Sequence, residues 1–153
     1  PVYSKFFLGT ILDVLDKKAT LTVVYLGGKP VGCGFLIRFG DYMEIPWAST
    51  LREVNPLSVN THMYWNILSH ASDNGVKKFD LGRSSKGSGT YKFKQQWGAK
   101  AKQCYWYSWT PKGAHSPDLS PNNIKFNLAI QVWKRLPVWL TKIIGPPIFK
   151  NLP

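Results

Sequence analysis

Residues 19–48 constrain the fold of this chain most tightly. Three β-rich runs, ATLTVVYL (19–26), VGCGFLIRF (31–39) and YMEIPWA (42–48), follow each other with almost nothing between them. Gly27-Gly28 and Gly40-Asp41 stand at the two joints. These are the residue types that tight antiparallel turns require. The pattern predicts a three-stranded meander. Pro46 has no N–H to give a ladder, so it belongs at a bulge or an edge.

Around the meander the apolar period changes to that of a helix. Residues 4–17 place Phe7, Ile11, Val14 and Leu15 on one face behind Ser4, a capping residue. A loop, STLREVNPL, follows the third strand. Residues 58–74 repeat the pattern with Tyr64, Ile67, Leu68 and Ala71, and Gly75 can end that helix. Val76 to Leu81 reads as a strand, about Thr90 to Trp97 as a helix, and Lys102 to Trp109 as a last strand. The order is that of a mixed α/β domain over residues 1–110. Residues 111–153 form a linker and a basic, aromatic helical tail, with a further helix over 121–136.

The chain carries 20 Lys and Arg against 8 Asp and Glu, a net charge of +12. Such a field draws phosphates, nucleic acid, acidic glycans or anionic lipid head groups. It does not choose among them, and a plain solvated basic surface gives the same sum. Hydrophobic content of 44% with 18% charged residues excludes a disordered chain. Cys33 and Cys104 sit in apolar, strand-like contexts, which suggests buried free thiols and no disulfide framework. His62, His70 and His115 are scattered, and no zinc-ligand spacing exists, so no metal is expected. No apolar run is long enough for an ordinary transmembrane helix, and no signal peptide is visible. These features suggest a cytoplasmic location, with peripheral contact at the inner membrane face left open. The chain begins at Pro1, directly before an amphipathic helix, so a fragment of a longer protein is expected.

Chemistry concentrates in FDLGRSSKGSGTYKFKQQWGA, residues 79–99. A short strand there runs into a Gly- and Ser-rich turn and then a basic helix. Arg83 and Ser84 follow the strand end, where α/β sheets commonly bind ligands. Gly87, Ser88 and Gly89 would expose backbone N–H groups to an anion, or they form a flexible turn with a capping residue. Tyr91 either contacts a ligand or supports the core.

The element order is similar to the GNAT (N-acetyltransferase-like) fold, a central, mostly antiparallel sheet flanked by helices. The residues EIPWAST (44–50), Tyr64-Trp65 and the 79–99 segment resemble the C-terminal half of the FemAB-like family. Within it they are nearest the branch associated with exosortase/PEP-CTERM exopolysaccharide systems. Gly89, Tyr91, Phe93-Lys94 and Trp97-Gly98 match the family's closing pattern. The resemblance covers roughly residues 1–110, and the tail from SPNN is similar to that branch too.

It implies an acyl- or aminoacyltransferase acting on an amine of a cell-envelope polysaccharide or a peptidoglycan-type precursor. The donor would be aminoacyl-tRNA or acyl-CoA. The acceptor would be nucleotide-linked or lipid-linked. A missing N-terminal GNAT-like domain would complete the protein. Lys94 would hold a donor phosphate or developing negative charge, or else is a surface charge. Phe93 would stack on a base or shape the acyl pocket, or else is core. Glu44 lies where GNAT enzymes often place a general base, or else is an edge-strand glutamate paired with a cation. The sequence departs from CoA-dependent relatives at residues 49–60. A glycine-free STLREVNPLSVN stands there in place of the pyrophosphate loop, which argues against CoA in the usual groove. The alternative is a non-catalytic module that binds an anionic glycan, RNA or membrane surface, with 121–150 as the membrane contact.

Overall fold

A computed structural model describes residues 3–105, 107, 109, 111 and 124–150. The chain divides into two compact units. One is Thr10–Ala101, and the other joins Pro1–Gly9 to Lys102–Pro153.

Helix α1 (Lys5–Leu15) precedes the sheet strands β1 (Ala19–Leu26), β2 (Lys29–Phe39) and β3 (Tyr42–Thr50). Helix α2 (Val59–Asp73) leads to β4 (Lys78–Asp80), and helix α3 (Gly89–Gln96) comes after it. The sheet order is β1-β2-β3-β4. The first two pairings are antiparallel and β3–β4 is parallel. The mixed α/β class expected from the sequence is therefore present.

The turns explain the meander. Gly27 and Gly28 have φ of 54° and 78°, the doubly positive geometry of a two-residue hairpin. Pro46 sits in a bulge. Phe35 pairs with Trp47 and Ile37 with Glu44, so Ile45 and Pro46 together oppose Leu36.

One face of the sheet is closed by α2. Leu36, Met43 and Ile45 from the strands pack with Met63, Tyr64, Ile67 and Ala71 from α2. Gly34 permits that approach, since a Cβ there would stand 2.9 Å from Ile67 Cδ1 and 3.1 Å from Ile45 Cδ1. Helix α2 ends in a Schellman motif: Val76 N–H donates to Ala71 O and Gly75 N–H to Ser72 O. Helix α3 ends the same way. Gly98 N–H donates to Gln95 O and Ala99 N–H to Lys94 O.

Four expectations need correction. The strand read over 76–81 is only Lys78–Asp80. The Val76 N–H is spent on closing α2, and the Lys77 and Lys78 N–H groups both go to Asp41 O. The loop after β3 contains a 3₁₀ helix, Arg52–Leu57, which buries Val54 against Val31 and Val59. No strand occurs among the described residues of 102–109, and Tyr105, Tyr107 and Trp109 are exposed. A β-prone run forms a strand only with a partner, and β4 has only three residues in its ladder. Both cysteines are free but exposed, not buried. Cys33 is exposed although Phe35, two residues along the strand, is buried.

In the other unit, Ser4 caps α1, its Oγ accepting from Phe7 N–H at 3.0 Å. Helices α4 (Ile124–Arg135) and α5 (Val138–Lys150) form the tail, separated at Pro137. Residues 121–123 of the expected tail helix, and all of the linker before it from residue 112, lie outside the described residues. Among the described residues no helix is long and apolar enough to cross a membrane.

Candidate active site at the fork of two parallel strands

Strands β3 and β4 pair at Tyr42–Lys78, Met43–Phe79 and Glu44–Asp80, and there the ladder stops. Strand β3 continues to Thr50. Among the described residues no strand covers its edge beyond Glu44 on that side. The chain after Asp80 instead turns through Gly82 into the approach to α3. The result is a fork with an open strand edge on one side and the 81–88 turn on the other.

Asp80 organises the fork. Its Oδ1 accepts the Gly82 N–H at 2.7 Å, and its Oδ2 accepts the Tyr42 hydroxyl at 2.8 Å. The first bond is an Asx-type turn that steers the chain out of the strand. Gly82 takes φ of 74°, and a Cβ there would meet Ile45 O at 3.6 Å and Lys94 Nζ at 3.9 Å. The hydrogen bond to Asp80, with burial and the Asp80 and Glu44 charges, pushes the Tyr42 phenol up to about 12. Tyr42 therefore stays protonated at working pH and holds the carboxylate in place without supplying a proton.

Lys94 arrives from α3. Its Nζ donates to Gly82 O and to Arg83 O, both at 2.9 Å. Burial pushes the ammonium below the ordinary lysine value, and the Asp80 charge pulls it back up. Two of its three donors are used by backbone, which leaves one for a ligand oxygen. Helix α3 is anchored by aromatic contact. Phe93 stacks edge-on against Tyr64 at 5.1 Å, and Trp97 closes the cluster.

Glu44 is half-buried and lies on the face away from α2, because its neighbours Met43 and Ile45 fill the α2 core. Glu44 is the register partner of Asp80 across the β3–β4 pair, whereas Lys94 reaches the Gly82 and Arg83 carbonyls of the turn. Arg83 is exposed in the turn. The Ser84 Oγ is buried with no hydrogen-bond partner among the described residues. Gly87 takes a positive φ of 78° in open space, and Gly89 begins α3. Ser88 caps α3, its Oγ accepting from Tyr91 N–H at 3.2 Å. Tyr91 is half-buried.

The structure thus brings Lys94, Arg83 and Ser84 together around one turn, with Gly87, Ser88 and Gly89 continuing that turn into α3. It places Phe93 in the α2–α3 contact. Sequence reasoning missed Asp80 and Tyr42. The local signal was available for Asp80, an Asp two residues before a glycine, but the Tyr42 contact exists only through strand pairing.

Two open grooves lie elsewhere on the same unit. One, of about 360 Å³, runs past Ser58, His62, Trp65 and Trp97, and the other, of about 180 Å³, past Tyr25, Val31 and Val59. Neither is lined by Glu44, Arg83 or Lys94. Among the described residues no group of His, Cys, Asp or Glu could hold a metal ion.

The model of one protein family, described as an acetyltransferase (GNAT) domain, matches residues 1–95. Solved structures of acetyltransferases share the fold at low identity. A ribosomal-protein-alanine N-acetyltransferase from Brucella melitensis biovar Abortus 2308 is 12% identical with a TM-score of 0.53, covering 67% of this chain and 78% of its own. AAC(6')-Iy in complex with the bisubstrate analogue CoA-S-monomethyl-acetylneamine is 9% identical with a TM-score of 0.59, covering 72% and 84%. A putative acetyl transferase from Pyrococcus furiosus is 14% identical with a TM-score of 0.54, covering 67% and 74%. No curated protein gives a significant sequence match.

Proposed function

Because the chain belongs to the acetyltransferase (GNAT) domain family, we propose that it carries out N-acyl transfer at the β3–β4 fork. The observation that carries this reading is the early end of the β3–β4 ladder. An open strand edge offers N–H and C=O groups to an extended, amide-bearing arm of a donor or acceptor. The cationic 82–89 turn beside it suits the phosphates of the donor's carrier.

The chemistry needs an amine nucleophile, a route for its proton and stabilisation of the oxyanion. Glu44 takes the proton from the attacking amine, directly or through a water. The remaining Lys94 donor meets the negative charge on the donor. A C–N bond forms as the bond from the acyl carbon to its carrier breaks. Asp80 acts as a positioning residue, since both its oxygens are engaged within the fold.

The acceptor we favour is an amine of a cell-envelope polysaccharide or a peptidoglycan-type precursor, in the FemAB-like manner. For the donor, an acyl thioester of CoA is supported by the fold neighbour crystallised with a CoA conjugate. Aminoacyl-tRNA is a second reading, favoured by one feature. The segment after β3 is a 3₁₀ helix pinned by buried Val54, not a glycine loop able to wrap a pyrophosphate. A non-catalytic binding module is favoured by Lys94, whose ammonium already serves two backbone carbonyls.

One assay separates these readings. The chain is incubated with labelled acyl-CoA or aminoacyl-tRNA and amine-bearing envelope precursors. Consumption of one donor identifies the reaction. Glu44→Ala and Lys94→Ala are then expected to lower turnover by roughly 10²-fold or more. Turnover that survives both substitutions removes the fork as the site. Consumption of neither donor leaves the binding module.

A further inference from the structure

We propose that the outward face of α5, with the cations at the end of α4, is a docking surface for an anionic lipid bilayer. The inference does not rest on the acyl-transfer reading. It starts from an asymmetry of charge. Residues 102–153, which belong to the same unit as α5, hold seven Lys and Arg and a single carboxylate, Asp118. From residue 119 onward there are five cations and no carboxylate at all.

Helix α5 has two distinct sides. Thr141 and Gly145, four residues apart, are buried. Trp139 and Ile143, also four apart, are each 64% exposed, as is Val138. Lys142 stands exposed among them, and Lys134 and Arg135 are exposed at the end of α4. A surface that presents indole and branched aliphatic side chains beside unopposed cations matches the boundary between head groups and acyl chains. Anionic lipid attracts the lysines, and the boundary region takes the Trp and Ile. RNA would satisfy the charges but has no use for exposed Val138 and Ile143. At 13 residues the helix is about 20 Å long, too short to span a bilayer and suited to lying along its surface.

The test is co-sedimentation of the whole chain with vesicles of phosphatidylcholine alone or mixed with phosphatidylglycerol. Binding is expected with the mixed vesicles and not with phosphatidylcholine alone. The pair Trp139→Ser and Ile143→Ser should weaken partition by at least about tenfold, with an unchanged far-UV circular dichroism spectrum. Lys134→Gln with Lys142→Gln should weaken it too and flatten its dependence on salt. A chain that stays in the supernatant overturns the proposal. So does partition that the Trp139 and Ile143 substitutions leave unchanged, which is the pull of net charge alone. If those substitutions instead abolish a dimer seen by sedimentation velocity, or binding to polyuridylate, with no vesicle binding in the parent, the face belongs to another partner.

Discussion

On the meander side of the sheet, β1 and β2 pair at eight positions, and Leu36, Met63 and Ile67 lie almost wholly out of solvent between strands and helix. On the other side, β4 pairs with β3 at three positions, and the turn leading from β4 to α3 is held by polar bonds. Asp80 joins Tyr42 to the Gly82 N–H, and Lys94 joins α3 to the carbonyls of Gly82 and Arg83. The first side is fixed by volume and is indifferent to charge. The second adds a few charged contacts to the packing of Phe79, Leu81, Phe93 and Trp97 against the core, and its ladder ends early. A transferase domain needs both, a rigid frame and an edge that a ligand can complete.

Substitutions that break the contrast should differ in kind as well as in size. Ile67→Ala removes a side chain that is 1% exposed, and an expected loss of about 2–5 kcal/mol would be read from urea unfolding. Any ligand affinity should then follow the folded fraction only. Lys94→Met should cost less stability, on the order of 1–2 kcal/mol, because its bonds lie partly in solvent. Its effect on ligand binding should exceed that of Ile67→Ala at equal folded fraction. The reverse ranking would mean that the fork is only a structural junction.

Tyr42→Phe sharpens the comparison through pH. The folded phenol is raised from 10.0 to about 12, so its bond to Asp80 contributes fully below pH 10. That contribution is lost as pH rises from 10 towards 12. The parent Tm should therefore fall more steeply across that window than the Tm of Tyr42→Phe, which lacks the titrating group. Parallel curves would show that the Tyr42–Asp80 bond carries no stability. The smallest effect is expected from Ser88→Ala, about 0.5–1 kcal/mol by thermal unfolding, for loss of the cap of a short helix.

The same contrast decides how much was legible in the sequence. The meander and the ends of α2 and α3 were readable because glycine turns and Schellman closures are local. Gly27-Gly28, Gly75 and Gly98 each mark their own position. The fork was half readable. Arg83, Ser84, Lys94 and the glycines of the turn stand out by residue type, but Tyr42 and Asp80 meet only because β3 and β4 run parallel across 38 residues. The run at 102–109 misled because aromatic, β-prone residues describe what a strand is made of, not whether it has a neighbour. The 3₁₀ helix at Arg52–Leu57 was missed because a single short turn has no apolar period to detect.

Amide hydrogen exchange with and without acetyl-CoA, or a non-hydrolysable acyl-CoA, tests the central claim most directly. Slower exchange is expected at Ile45–Thr50, along the edge of β3 beyond the β4 ladder, and at Gly82–Tyr91, with little change at Arg52–Leu57 or in β1. Protection confined to Arg52–Leu57 and the start of α2, or no protection anywhere at saturating ligand, would contradict it.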